Sequence, residues 1–206
     1  MRSELITLNE AKLLVWELTE SVDTLKAQLN LIESDILEFN KIVSEKRKLE
    51  FLGIRVALKT LLGKEIQIEY NREGKPHLVD NSYQISVSHT NHWISVMAHP
   101  TRKVGVDIEC PTDKIQQLYK RFLSETEQKE LSDGKDIRQL LLAWSAKEAM
   151  FKIIGKEAID FANQLRIFPF EVEPSGEMKG QHIPSKLIYQ LYYHQTDQYT
   201  LVFCLA

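Results

Sequence analysis

Two hydrophobic rhythms alternate along the chain. Over residues 1–63 apolar positions recur at three- and four-residue intervals, which predicts a mainly helical region. Thr7-Leu8-Asn9-Glu10 has the spacing of a capping box, a hydroxyl and a carboxylate three residues apart at a helix start. Within residues 41–62, Leu49, Leu52 and Val56 make one helical row and Phe51, Ile54, Leu58 and Leu61 another. Gly63 follows where a left-handed residue would stop that helix. The period then falls to two. Ile66, Ile68 and Tyr70 alternate with polar residues, as do Tyr83, Ile85 and Val87, and each set predicts a half-buried strand. Residues 71–76, with Gly74 and Pro76, read as a turn between them. Residues 93–98 form a continuous apolar run, and residues 89–92 are placed to join it to the strand before as a hairpin loop. In the next strand Val104, Val106 and Ile108 face one way, and Gly105, Asp107 and Glu109 the other.

The second half repeats the order, helices and then strands. Ser124-Glu125-Thr126-Glu127 is another capping box, and residues 136–154 predict the longest helix, ended by Gly155. Strands are expected at 165–170, 186–193 and 199–205, with residues 173–185 as a Gly- and Pro-bearing connection. The repeated order suggests two similar α+β halves, 1–103 and 104–206. No low-complexity tract or short-period repeat interrupts them.

Composition then removes whole classes of function. With 206 residues and 43% hydrophobic content, a sizeable core can be buried. The net charge of −3 gives no global basic field for nucleic acid. Cys110 and Cys204 form neither a disulfide framework nor a metal-ligand spacing, which fits a reducing compartment. The start, Met1-Arg2-Ser3-Glu4, lacks the apolar core of a signal peptide, and no apolar run is long enough to span a bilayer. The expectation is a cytoplasmic protein without nucleic-acid or membrane partners.

Three places break the hydrophobic pattern and carry the candidate chemistry. Asp107 and Glu109 put two carboxylates on one strand face, unfavourable unless a cation lies between them or the face is solvated. On the long helix, the stripe of Ile137, Leu140, Leu141 and Trp144 continues into Glu148 and Lys152. That pair is either a surface i,i+4 ion pair or part of a cleft. Ser88 and His89, at a strand end, can donate hydrogen bonds to a phosphate or simply form a polar hairpin tip. No H-x-x-x-H or C-x-x-C accompanies the histidine, which argues against zinc. Taken together, Asp107, Glu109 and Glu148 offer too few oxygens for a calcium cage, but suit a magnesium ion completed by water and phosphate. Phosphoryl transfer, nuclease and phosphatase chemistry all remain open on these residues.

At these positions the chain resembles the 4′-phosphopantetheinyl transferase superfamily. Val104-Gly105-Val106-Asp107-Ile108-Glu109 followed by Trp144-Ser145-Ala146-Lys147-Glu148-Ala149-Met150-Phe151-Lys152 is similar to the paired signature G-(V/I)-D-x-E and W-(S/C)-x-K-E-(A/S)-x-x-K. Gly74-Lys75-Pro76, Ile85-Ser86-Val87-Ser88-His89-Thr90 and Arg121-Phe122-Leu123-Ser124-Glu125-Thr126-Glu127 resemble further blocks, with Ser86 where the family has asparagine. The likeness covers about residues 45–165. The length is similar to the monomeric, two-halved, surfactin-synthetase-activating-enzyme-like branch.

The resemblance implies a reaction, a fold and a set of roles. The arm of coenzyme A would pass to a serine of an acyl or peptidyl carrier protein, releasing adenosine 3′,5′-bisphosphate. The fold would be α+β, two pseudo-symmetric halves, each an antiparallel sheet against a long helix, with the active site at their interface. Asp107, Glu109 and Glu148 match the magnesium ligands. Glu148 and Lys152 match the groups that take the serine proton or neutralise the pyrophosphate. Ser88 and His89 match residues that hold the nucleotide phosphates, with His89 also counted near the chemistry. Lys75 matches a coenzyme A contact, and Arg47 and Arg55 are further candidates for its phosphates. Lys114, Lys120 and Arg121 would suit an acidic carrier helix. The rival functions are a metal-dependent phosphoesterase acting on coenzyme A or nucleotides, and a non-catalytic module that binds coenzyme A or a carrier protein.

Overall fold

A computed structural model describes residues 3–155 and 158–206. Met1 and Arg2, where the expected helical region and the leader reading begin, lie outside the described residues. The chain is α+β with antiparallel sheets, and it divides into two compact units, Met1–Thr101 and Arg102–Ala206. No helix among the described residues is long and apolar enough to cross a membrane.

The first unit opens with strands, which corrects the helical expectation for its first residues. β1 (Ser3–Leu8) and β2 (Ala11–Glu17) form an antiparallel hairpin in which Leu8 pairs with Ala11. Asn9 and Glu10 therefore make a two-residue turn, with φ of 45° and 66°. Two successive left-handed residues match the right-handed twist of the flanking strands, and asparagine tolerates that conformation. The capping-box spacing was a coincidence of the same four residues. The apolar run from Leu13 to Trp16 is buried throughout, and periodicity alone cannot separate such a run from a helix.

Three helices follow: α1 (Val22–Lys26), α2 (Glu33–Lys41) and α3 (Glu45–Leu62). Residues 41–62 are thus not one helix; α2 ends at Lys41 and α3 starts anew behind the Ser44 cap. Gly63 closes α3 in the left-handed conformation, φ 65°. The short pair β3 (Ile68–Tyr70) and β4 (Pro76–Leu78) flanks a turn at Gly74. β5 (Gln84–Thr90) and β6 (Trp93–His99) complete a sheet of order β1-β2-β6-β5. α3 packs across β6 and β2, joining Leu52, Val56, Leu14, Trp16, Ile94 and Val96 in one core.

The second unit has the sheet order β7-β11-β10-β9-β8, antiparallel throughout. β7 (Val104–Glu109) leads to α4 (Ile115–Phe122), α5 (Glu125–Glu130) and α6 (Ile137–Ile154). The capping box at Ser124 and Glu127 is complete, and α6 runs from its Asp136 cap to left-handed Gly155. α7 (Phe161–Gln164) then precedes β8 (Leu165–Ile167), β9 (Ser175–His182), β10 (Leu187–Gln195) and β11 (Thr200–Leu205). β9 occupies the segment expected to be a connection. Its sequence carries little apolar signal, and its pairing with eight residues of β10 is what makes it a strand. A Cβ at Gly180 would meet the Met150 sulfur, so glycine there admits α6 against the sheet. α6 lies over β7 and β11, and its Leu140, Ala143, Ala146 and Met150 form the centre of the second core.

Candidate active site

β7 and α6 meet at a glycine. A Cβ on Gly105 would overlap the main-chain carbonyl of Ala149, so the helix backbone comes closer to this strand than a side chain would permit. Alternation puts Asp107 and Glu109 on the same face as Gly105. They therefore meet the last turns of α6, where Glu148 and Lys152 stand one turn apart.

Asp107 is 4% exposed. Lys152 Nζ donates to Asp107 Oδ1 at 2.9 Å and to the Val106 carbonyl at 2.7 Å. Glu109 is half-buried and accepts a hydrogen bond from Trp144 Nε1 at 3.2 Å. The Glu148 carboxyl is pushed up to about 7. Burial is the largest cause and the charge of Asp107 the next; Lys152 opposes them, and Glu109 adds to the rise. Glu148 thus lies within electrostatic reach of two carboxylates and one ammonium. Holding a proton on Glu148 relieves part of the repulsion between the carboxylates.

A depression of about 490 Å³ opens beside Glu148, lined also by Arg121, Trp144, Phe151, Asp160 and Phe161. The Trp144 ring packs edge-on to Phe122 at 5.3 Å and tilted against Phe161 at 5.6 Å, which fixes the indole as it reaches Glu109. The lining is thus mainly aromatic, with the Glu148 and Asp160 carboxyls and the Arg121 guanidinium among it.

These side chains fit magnesium in kind. The donors are carboxylate oxygens, which a hard cation prefers, and Asp107 already holds a cationic group, the Lys152 ammonium. Among the described residues no three His, Cys, Asp or Glu side chains stand converged as a metal cluster.

The remaining residues expected to contact coenzyme A belong to the first unit. Ser88 is buried in β5, and His89 follows it, half-buried, with Nδ1 3.4 Å from Glu50 Oε1. Lys75 is half-buried in the β3–β4 turn, its main-chain N–H donating to Asn71 Oδ1. Arg47 is exposed on α3 and bonded to Glu50 at 2.9 Å. Arg55 differs from its expectation. It is 3% exposed, donates through Nε and Nη2 to Asp35 Oδ1 at 3.1 and 2.7 Å, and stacks on Phe51. Its guanidinium ties α3 to α2 and is not presented to a ligand.

Lys147 lies within the helix motif, where the pattern alone assigns it no role. It is fully buried, and Nζ donates to Glu127 at 2.8 Å and to the carbonyls of Phe122, Phe161 and Leu165 at 2.6, 2.9 and 2.7 Å. Burial pushes its pKa down and Glu127 opposes the fall. Glu127 in turn accepts from Ser124 and from the Ile167 N–H. This knot joins α4, α5, α6, α7 and β8 immediately beside Glu148. Its signal was a lone lysine among Ala143, Ala146 and Met150 on an apolar helix face. Glu50, the buried acid under His89 and Arg47, also escaped notice.

Residues 103–204 match the family model described as the 4′-phosphopantetheinyl transferase superfamily. A candidate 4′-phosphopantetheinyl transferase of Synechocystis sp. is 31% identical over 133 residues, 57% of this chain and 54% of that protein. A phosphopantetheinyl transferase of Thraustochytrium sp. is 26% identical over 148 residues, 59% of this chain and 51% of that protein. The chain spans about half the length of these curated relatives.

Proposed function

This chain belongs, through residues 103–204, to the 4′-phosphopantetheinyl transferase superfamily, and we propose that it transfers the phosphopantetheine arm of coenzyme A to a serine of an acyl or peptidyl carrier protein. The observation that carries this reading is the partly buried group of Asp107, Glu109, Glu148 and Lys152 beside an aromatic depression. The serine oxygen forms a bond to the pantetheine-side phosphorus as its O–H bond breaks. The bond from that phosphorus to the bridging oxygen breaks, and adenosine 3′,5′-bisphosphate leaves.

Asp107, Glu109 and Glu148 would hold magnesium, which when bound supplies positive charge to the pyrophosphate. The chain's own residues do the rest. Lys152, reaching from one turn beyond Glu148, neutralises charge that grows on the phosphate oxygens. Glu148, one turn before Lys152 on the same helix, is the candidate acceptor of the serine proton. The wall of Trp144, Phe151 and Phe161 offers an apolar surface for the arm while limiting water at the phosphorus. Ser88, His89, Lys75 and Arg47 supply polar and positive groups for the nucleotide phosphates, and Lys114, Lys120 and Arg121 an exposed basic strip for an acidic carrier helix.

Intact mass spectrometry of an apo carrier protein, incubated with the chain, coenzyme A and magnesium, tests this. The expected result is a gain of one phosphopantetheine, abolished by chelator, by removal of the acceptor serine and by Asp107→Ala. Coenzyme A hydrolysed without any gain on the carrier would replace transfer with phosphoesterase activity. Transfer undiminished in Asp107→Ala would remove the metal role of the carboxylates.

A further inference from the structure

The start of α3 and the end of β5 share one buried acid. The Glu50 side chain is 7% exposed, although it stands among surface residues. Its Oε2 accepts from Arg47 Nη1 at 2.9 Å; its Oε1 lies 3.4 Å from His89 Nδ1 and 4.0 Å from Lys46 Nζ. A carboxylate taken out of water needs positive or donating partners, and Glu50 has them in excess. The two cations alone outnumber it, before any proton on His89. The partners, moreover, are the outer layer: the Arg47 side chain is 66% exposed, Lys46 63% and His89 33%. The negative charge sits behind and the positive charge in front. With Nδ1 turned toward Glu50, ring geometry puts Nε2 on the side away from it. A cluster built this way keeps its own acid from competing for the surface while its cations face an incoming anion.

We propose that Glu50 is a positioning residue that holds the His89 imidazole and the Arg47 guanidinium as one preorganised pair for the phosphate groups at the nucleotide end of coenzyme A. The proposal rests on the coenzyme A reading above and adds a residue that touches no substrate. It also accounts for an acid buried at the third residue after Arg47 on an otherwise solvated helix start. Fixing two side chains before binding removes their ordering cost from the binding step. Glu50 therefore acts on affinity rather than on the reacting phosphorus.

The test uses the full chain and reads coenzyme A affinity by calorimetry, separately from turnover. Glu50→Gln, which keeps the shape and removes the charge, is expected to weaken coenzyme A by about tenfold, within the range for directly coupled side chains. Its kcat should change by less than about twofold, the mark of lost substrate binding rather than lost transition-state stabilisation. In the His89→Ala background the same substitution should cost clearly less, and the His89 imidazole resonances should move in ligand-free Glu50→Gln. His89→Ala and Arg47→Ala, at a half-buried and an exposed position, give a second readout if Glu50→Gln folds poorly: their losses in affinity should be non-additive. Wild-type affinity in Glu50→Gln, an equal loss with and without His89, or strict additivity of His89→Ala and Arg47→Ala would each overturn the proposal. A Glu50-dependent affinity in a chain that modifies no carrier protein would overturn the transferase reading and leave this one standing. Normal transfer with unchanged affinity would do the reverse.

Discussion

Replacing Lys147 with methionine keeps the apolar stem and removes the ammonium. Three N–H bonds are shared over four oxygens around Nζ, all at 2.6–2.9 Å, and neither Lys147 nor Glu127 reaches solvent. After the substitution Glu127 keeps its bonds from Ser124 and Ile167 but loses its counter-charge. Three carbonyls, at the end of α4, the start of α7 and the start of β8, lose their donor together. Breaking a buried pair from one side costs about 3–5 kcal/mol. Adding a separate penalty for each carbonyl would overcount, because the loosened segments can reach water. At the size of this chain the loss corresponds to a fall in Tm on the order of 10 °C. Denaturant unfolding of Lys147→Met, Glu127→Gln and the double variant measures it. The double variant should recover part of the loss, because the stranded acid is gone. A loss under about 1 kcal/mol in Lys147→Met, or a double variant equal to the sum of the singles, would refute the idea that charge pairing holds this knot.

Two further outcomes follow from the same geometry. The Glu148 carboxyl stands near 7 in the fold against 4.5 for a free side chain, so the folded state binds its proton more tightly. Its favourable contribution is complete below pH 4.5 and is lost as pH rises through about 7. In metal-free solution Glu148→Gln should then be more stable than wild type above pH 7, by up to about 3 kcal/mol, with the gap closing toward pH 4.5. Paired thermal melts across that range check it, and a pH-independent gap would contradict the assigned cause. Gly105→Ala would drive a methyl into the Ala149 carbonyl; overpacking against a backbone costs about 1–3 kcal/mol and should push α6 away from Asp107. An unchanged melting point would show that the helix is not held there by the glycine.

Local chemistry made much of this protein legible from its sequence. The cap at Ser124, the left-handed stops at Gly63 and Gly155, and the alternation through residues 104–109 depend on neighbours in the chain, and all lie where the residue types put them. The pairing of Asp107 and Glu109 on one strand face with Glu148 and Lys152 on one helix face was likewise readable, since both periodicities are fixed by backbone geometry. Tertiary structure decided what those periodicities leave open. The run from Leu13 to Trp16 is a strand because β6 pairs with it, and β9 is a strand because β10 does, though its own residues are mostly polar. Arg55, a candidate for coenzyme A phosphates by sequence, is an internal tie to Asp35, and Lys147, one residue of a motif, is the centre of a four-acceptor knot. Whether a long basic side chain ends in water or in the core depends on which carboxylates and carbonyls the fold brings to it from distant parts of the chain, and no local pattern encodes that meeting.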